Sequence, residues 1–143
     1  MKPIRIAVLV AISAVIAAGV GALKVLGGEN RLLGTTVMVD EQEMTVTTSV
    51  KRVAPGKVTF IIRNSGSVVH ELVVLRSSGG AASLPVKHFK AVEDEKATIG
   101  EAEDLEPGKS TRLTLNLRPG RYILLCNVVG HYQLGMRTSL LVG

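Results

Sequence analysis

The stretch Cys126-Asn127-Val128-Val129-Gly130-His131-Tyr132-Gln133-Leu134-Gly135-Met136 carries a thiol, an imidazole and a thioether in one short loop. Cys126 is the only cysteine of the chain, so it has no partner for an intramolecular disulfide and needs another explanation. The histidine follows it by five positions and the methionine by ten. With three His and four Met in 143 residues, such a placement has a chance probability on the order of one in a thousand, before other acceptable spacings are allowed for. Gly130 and Gly135 accept backbone angles closed to other residues, which lets the loop turn back and aim its three groups at one point. A fourth group stands upstream in Val68-Val69-His70-Glu71-Leu72-Val73-Val74, where an imidazole interrupts an apolar run.

A thiolate and two imidazoles in a plane, with a weak and long axial thioether, form the donor set that suits copper cycling between its two oxidation states. Structural zinc sites draw four closed ligands from Cys and His, and methionine is a poor partner for zinc. Iron–sulfur clusters need more cysteines than one, and a binuclear copper centre needs a second cysteine in this loop. Blander roles stand beside each assignment. A lone cysteine is commonly an inert buried thiol, a strand histidine among valines is commonly a satisfied core residue, and Met136 could be core filler as Met38 and Met44 are expected to be. Gln133 is a conceivable but poorly placed oxygen donor. His88 is the only other histidine and falls in an irregular segment, where a solvated role is expected.

These groups have to be positioned by strands. Two Phe, two Tyr and no Trp leave the core to Val, Leu, Ile and Ala, which favours a β-rich interior, and the length suits one domain. Residues 1–23 read as a basic start followed by an uncharged apolar stretch, an N-terminal hydrophobic helix acting as signal peptide or membrane anchor. Residues 24–33 read as a linker, and residues 34–143 as the folded domain. Within it, 35–39, 44–50, 57–63, 68–75, 110–117, 121–126 and 138–142 are expected strands separated by turn signals such as Pro55-Gly56, Asn64-Ser65-Gly66, Pro107-Gly108 and Pro119-Gly120. The expected fold is an all-β Greek-key sandwich in which the strands 57–63 and 68–75 pair. Residues 76–105 read as a long excursion with a short helix or two, and the charged run Glu93-Asp94-Glu95-Lys96 as a solvated face.

Cys-x4-His-x4-Met after a strand, with an upstream His on the strand that follows an Asn-x-Gly turn, resembles the cupredoxin family of type 1 blue-copper proteins, with the ligand spacing of its rusticyanin and auracyanin branches. The resemblance spans roughly residues 34–143. It implies the β-sandwich, one type 1 copper ion and electron-carrier activity, with His70 and His131 as equatorial nitrogen ligands, Cys126 as the equatorial thiolate and Met136 as the axial thioether. One position departs from the family pattern: Glu71 stands where many members have an Asn whose side chain ties the two ligand loops together.

The formal charge of +5 carries no Lys/Arg clusters interleaved with aromatics, so nucleic acid is not an expected partner. The expected function is one-electron transfer between a donor and an acceptor redox protein outside the cytoplasm, by a monomer that residues 6–23 could tether to the membrane. A copper chaperone or buffer is the alternative, against which stands the lack of Met-rich runs. A copper enzyme would need a second metal centre, for which only His88 remains.

Overall fold

The computed structural model describes residues 35–143; the expected N-terminal hydrophobic helix, the linker and the start of the domain lie outside the described residues. Alternation builds the first strands. In β1 (Thr35–Gln42) Val37, Val39 and Glu41 point inward, and in β4 (Gly56–Asn64) Val58, Phe60, Ile62 and Asn64 do the same. Together with β2 (Thr45–Thr48) and β9 (Ser110–Leu117) they form a sheet of order β2-β1-β4-β9, in which β1 and β4 run parallel. Its inner face meets a second sheet of order β3-β11-β10-β5-β8, made of β3 (Arg52–Val53), β5 (His70–Arg76), β8 (Thr98–Leu105), β10 (Gly120–Leu125) and β11 (Arg137–Val142). Between them lies the main core, with Phe60, Ile62, Leu72, Val74, Tyr122, Leu124, Cys126, Met136 and Leu140 among its members.

Two strands do not alternate, and this explains the excursion. Leu72-Val73-Val74-Leu75 in β5 and Tyr122-Ile123-Leu124-Leu125 in β10 are buried throughout, so both faces of the sheet need cover at this point. The outer face is covered by residues 81–91, whose hairpin of β6 (Val86–Lys87) and β7 (Lys90–Ala91) places Ala91, with Ala81 and Leu84, against Val73, Leu75, Ile123, Leu125 and Tyr132. The expected helices are not formed in 76–105. The segment holds this hairpin and then β8, which pairs antiparallel with β5. β8 alternates between exposed and half-exposed residues, as an edge strand with one wet face does, and so carries little apolar signal in its sequence.

The expected pairing of 57–63 with 68–75 is also corrected: β4 pairs with β1 and β9, whereas β5 pairs with β10 and β8 in the opposite sheet. Asn64 makes the crossing. Its buried side-chain amide donates to the carbonyls of Val68 and Leu105 at 2.7 Å each and accepts from the Gly66 N–H at 2.9 Å, which turns the chain out of one sheet and into the other. His70 therefore opens β5 at the end of the sandwich where β10 closes with Leu125. The pairing of β5 with β8 slips between His70 and Leu72, an irregularity of the kind that re-aims side chains. Replacing Asn64 by alanine strips these partners in one step and should cost about 2–4 kcal/mol. Urea unfolding should show a lower midpoint at unchanged slope, and a loss under about 1 kcal/mol contradicts the role given to this side chain.

Candidate metal centre

Cys126 follows the last residue of β10, and its backbone N–H donates to the Met136 carbonyl at 3.0 Å. Between these residues the chain forms a single helical turn, α1 (His131–Leu134). The turn is bounded by Gly130 at φ 86° and Gly135 at φ 124°, both in the left-handed region that a side chain disfavours. The Met136 N–H closes the loop by donating to the His131 carbonyl at 3.0 Å. A loop pinned at both ends in this way holds the His131 ring over Cys126.

Three of the four expected ligands meet. Cys126 Sγ lies 3.3 Å from His131 Nδ1 and 3.8 Å from His70 Nδ1, and the two nitrogens are 3.3 Å apart. Cys126 and His70 are fully buried and His131 is 8% exposed, so the cluster is almost wholly enclosed. The rings cross at 62° with centroids 5.1 Å apart, so their inner nitrogens face the sulfur rather than stacking. A triangle with these sides has its centre about 2.0 Å from each corner, close to the bond lengths that first-row metals make to imidazole nitrogen and thiolate sulfur. The donor set fits a metal ion. Among the described residues this is the one such group of His, Cys, Asp and Glu. Met136 is fully buried in the same core cluster as Cys126. His88, at the tip of the β6–β7 hairpin, is exposed and takes no part.

Burial decides the protonation states. It pushes the Cys126 thiol up to about 11, against the backbone N–H groups of Glu71 and Val128 that lower it. Burial also lowers both imidazoles, helped at His70 by the neighbouring His131 ring. At neutral pH the rings are therefore uncharged electron-pair donors, and a metal entering the cluster has to displace the thiol proton.

One support of the loop carried no sequence signal. The buried Asn127 amide accepts from the Ala91 N–H at 2.7 Å and donates to the Ala91 carbonyl at 3.1 Å and to Glu93, so the excursion is tied to the residue next to Cys126. Glu93 thus leaves the solvated run it was assigned to. At Glu71, the position where the family resemblance calls for Asn, burial raises the carboxyl pKa, and Lys90 and the Asn127 backbone N–H offset only part of that rise. A surface cleft lined by Arg76, Asp94, Lys96, Arg118 and Arg121 lies at the far end of β10 and shares no residue with the cluster.

Neither a protein-family model nor a curated protein sequence matches the chain. Solved structures do. Auracyanin from Roseiflexus castenholzii is 21% identical with a TM-score of 0.57, over 77% of this chain and 98% of that one. Auracyanin A, a "blue" copper protein of Chloroflexus aurantiacus, is 19% identical with a TM-score of 0.57, over 77% and 99%. Rusticyanin from Thiobacillus ferrooxidans is 19% identical with a TM-score of 0.58, over 77% and 79%. The chain has the cupredoxin fold, as an open two-sheet sandwich, and its buried cluster of one thiol and two imidazoles is consistent with a blue-copper ligand set. The particular proteins it is similar to in fold are the auracyanins and rusticyanin.

One buried group stands apart. Glu41 continues the inward series of Val37 and Val39, is fully buried, and neither carboxyl oxygen has a hydrogen-bond partner. The alternation of β1 made this readable, but the acidic run Asp40-Glu41-Gln42-Glu43 reads instead as a turn between strands. Burial pushes its pKa from 4.5 up to about 8, with smaller rises from Glu71 and Asp40. Between those values the folded state holds a proton that the unfolded state has released. The stability this gives is complete below pH 4.5 and is lost as the pH rises through about 8. Within that window each pH unit favours unfolding by about 1.4 kcal/mol. Denaturant titrations of the metal-free protein at pH 5 to 9 should show wild type losing stability relative to Glu41→Gln by several kcal/mol. Parallel curves for the two proteins contradict this placement of Glu41.

Proposed function

We propose that this protein is a type 1 copper electron carrier in which His70, Cys126 and His131 hold one copper ion and Met136 supplies a weak axial thioether. The observation that carries the reading is the apposition of one sulfur and two imidazole nitrogens within 3.8 Å inside the cupredoxin fold. Bound there, copper supplies a one-electron couple between Cu(II) and Cu(I). The chain's part is to hold the donors still. β5 fixes His70, the end of β10 fixes Cys126, and the glycine-bounded turn fixes His131, so little rearrangement accompanies the change of charge. The backbone N–H groups of Glu71 and Val128 oppose the rise that burial imposes on the thiol pKa and so favour the thiolate.

Burial favours a carrier over the chaperone or buffer, which needs exchangeable, exposed donors, and no role as an enzyme is proposed. Transient docking of redox donor and acceptor proteins is proposed at the apolar surface beside His131, where Val68 is 43%, Val129 62% and Leu134 64% exposed, with Val128 packed against the core beneath. The residues 1–23 as signal peptide or anchor, a domain over 34–143, a monomer, and a place outside the cytoplasm complete the proposal.

Equimolar Cu(II) should give wild type an intense visible thiolate-to-copper absorption that bleaches with one electron per protein and returns on reoxidation. Cys126→Ser should abolish the band, and His70→Ala should weaken copper retention at least tenfold. A colourless protein that surrenders its copper readily to a chelator favours the chaperone and overturns the carrier.

A further inference from the structure

The turn between β1 and β2 touches both ligand-bearing stretches at once. Glu43 sits in this turn, and its Oε1 accepts the backbone N–H groups of Ser67 at 2.7 Å and Val68 at 2.9 Å, in the segment that leads into His70. The carboxylate packs so closely on that segment that a side chain at Gly66 would meet it within 2.5–2.8 Å. One residue on, the Met44 carbonyl lies 3.0 Å from where a β-carbon at Gly135 would stand, under the loop that carries His131.

His70 shows what it faces. Its inner nitrogen, Nδ1, belongs to the cluster with His131 and Cys126, while its outer nitrogen, Nε2, is buried with no hydrogen-bond partner. Glu43 Oε1 stands 3.5 Å from that outer nitrogen, which is contact between charge and ring rather than a completed hydrogen bond. We propose that Glu43 is a positioning residue for the candidate centre: its carboxylate keeps the proton of His70 on Nε2, leaves Nδ1 as the electron-pair donor, and biases the centre toward the more positive metal state. This inference rests on the copper-carrier reading and adds to it the residue that sets the ring's tautomer and the centre's potential.

Two backbone N–H groups converge on the Glu43 carboxylate and aim it at the His70 ring. A carboxylate behind a ligand imidazole fixes the ring's orientation and raises its basicity, and loss of such a partner typically costs 10–100-fold in metal affinity. Greater basicity favours Cu(II) over Cu(I), because the more positive ion gains more from it.

Glu43→Gln tests this with the least disturbance, since its side-chain oxygen can still accept from Ser67 and Val68 while the charge is gone. Glu101→Gln removes an equal charge from the exposed edge strand β8 and serves as control. In the copper-loaded full chain, Glu43→Gln should weaken Cu(II) binding about tenfold with a smaller effect on Cu(I), and each tenfold difference raises the midpoint potential by 59 mV. Glu101→Gln should not move it. In the metal-free chain, nitrogen NMR of the His70 ring should show the proton on Nε2 in wild type and a mixture of tautomers in Glu43→Ala. A shift in Glu43→Gln no larger than in Glu101→Gln, with a reversible copper couple intact, overturns the role of Glu43 alone. A tautomer that depends on Glu43 in a chain lacking any reversible copper couple overturns the carrier reading, and the tuning role with it.

Discussion

Two imidazole nitrogens and a sulfur lie within 3.8 Å of one another in an interior almost closed to water, and the fold has to hold them there. Electron pairs that face each other in an apolar interior repel unless a proton or a cation lies between them. A flexible loop would relieve that repulsion by swinging one ring away. The relief is blocked on each side: His70 is part of β5, Cys126 is fixed by the Met136 carbonyl, and His131 sits on a turn whose ends are both glycines in left-handed conformations. The sandwich thus holds the donors in the arrangement a metal requires, which is the condition for a site that changes charge without changing shape.

The same logic accounts for the parts of the chain that are not donors. The hairpin of the excursion covers the outer face of β5 and β10, without which Val73, Leu75, Ile123 and Leu125 would face water on the strands that carry the centre. Asn127 then ties that cover to the residue next to the thiol, and the β1–β2 turn grips the approaches to His70 and to His131. Two separate segments therefore brace one end of the sandwich. Among the polar groups left buried without partners, both Glu41 oxygens and the outer nitrogen of His70 lie on the strands that meet there. Burying them costs stability, which the continuous apolar packing of β4, β5 and β10 offsets.

The donor loop could be read from sequence because its signal is chemical: one thiol, then an imidazole and a thioether at fixed offsets, with glycines where the chain must turn. β4 could be read because Val58, Phe60 and Ile62 alternate without interruption. The partner of β5 could not, since alternation reports which face of a strand is buried and is silent about which sheet the strand joins; the crossing at Asn64 rests on three side-chain bonds that no periodicity encodes. β8 was hidden because an edge strand with a wet face reads like a loop, and the hairpin because its two strands are two residues each. Glu41 and Glu43 stood in one acidic run that reads as a turn. The alternation of β1 carries Glu41 into the core, whereas only the turn that follows brings Glu43 back onto the segment before His70.

The central claim is that side chains from two distant stretches bind a single copper ion, and X-ray absorption at the copper edge of the loaded full-length chain tests it without reference to colour or potential. Copper held by this donor set gives one short copper–sulfur distance and two copper–nitrogen distances of about 2.0 Å, with the sulfur lost in Cys126→Ser and one nitrogen lost in His70→Ala. A shell of nitrogen and oxygen alone in the wild-type protein, or one that keeps both nitrogens after His70→Ala, contradicts it.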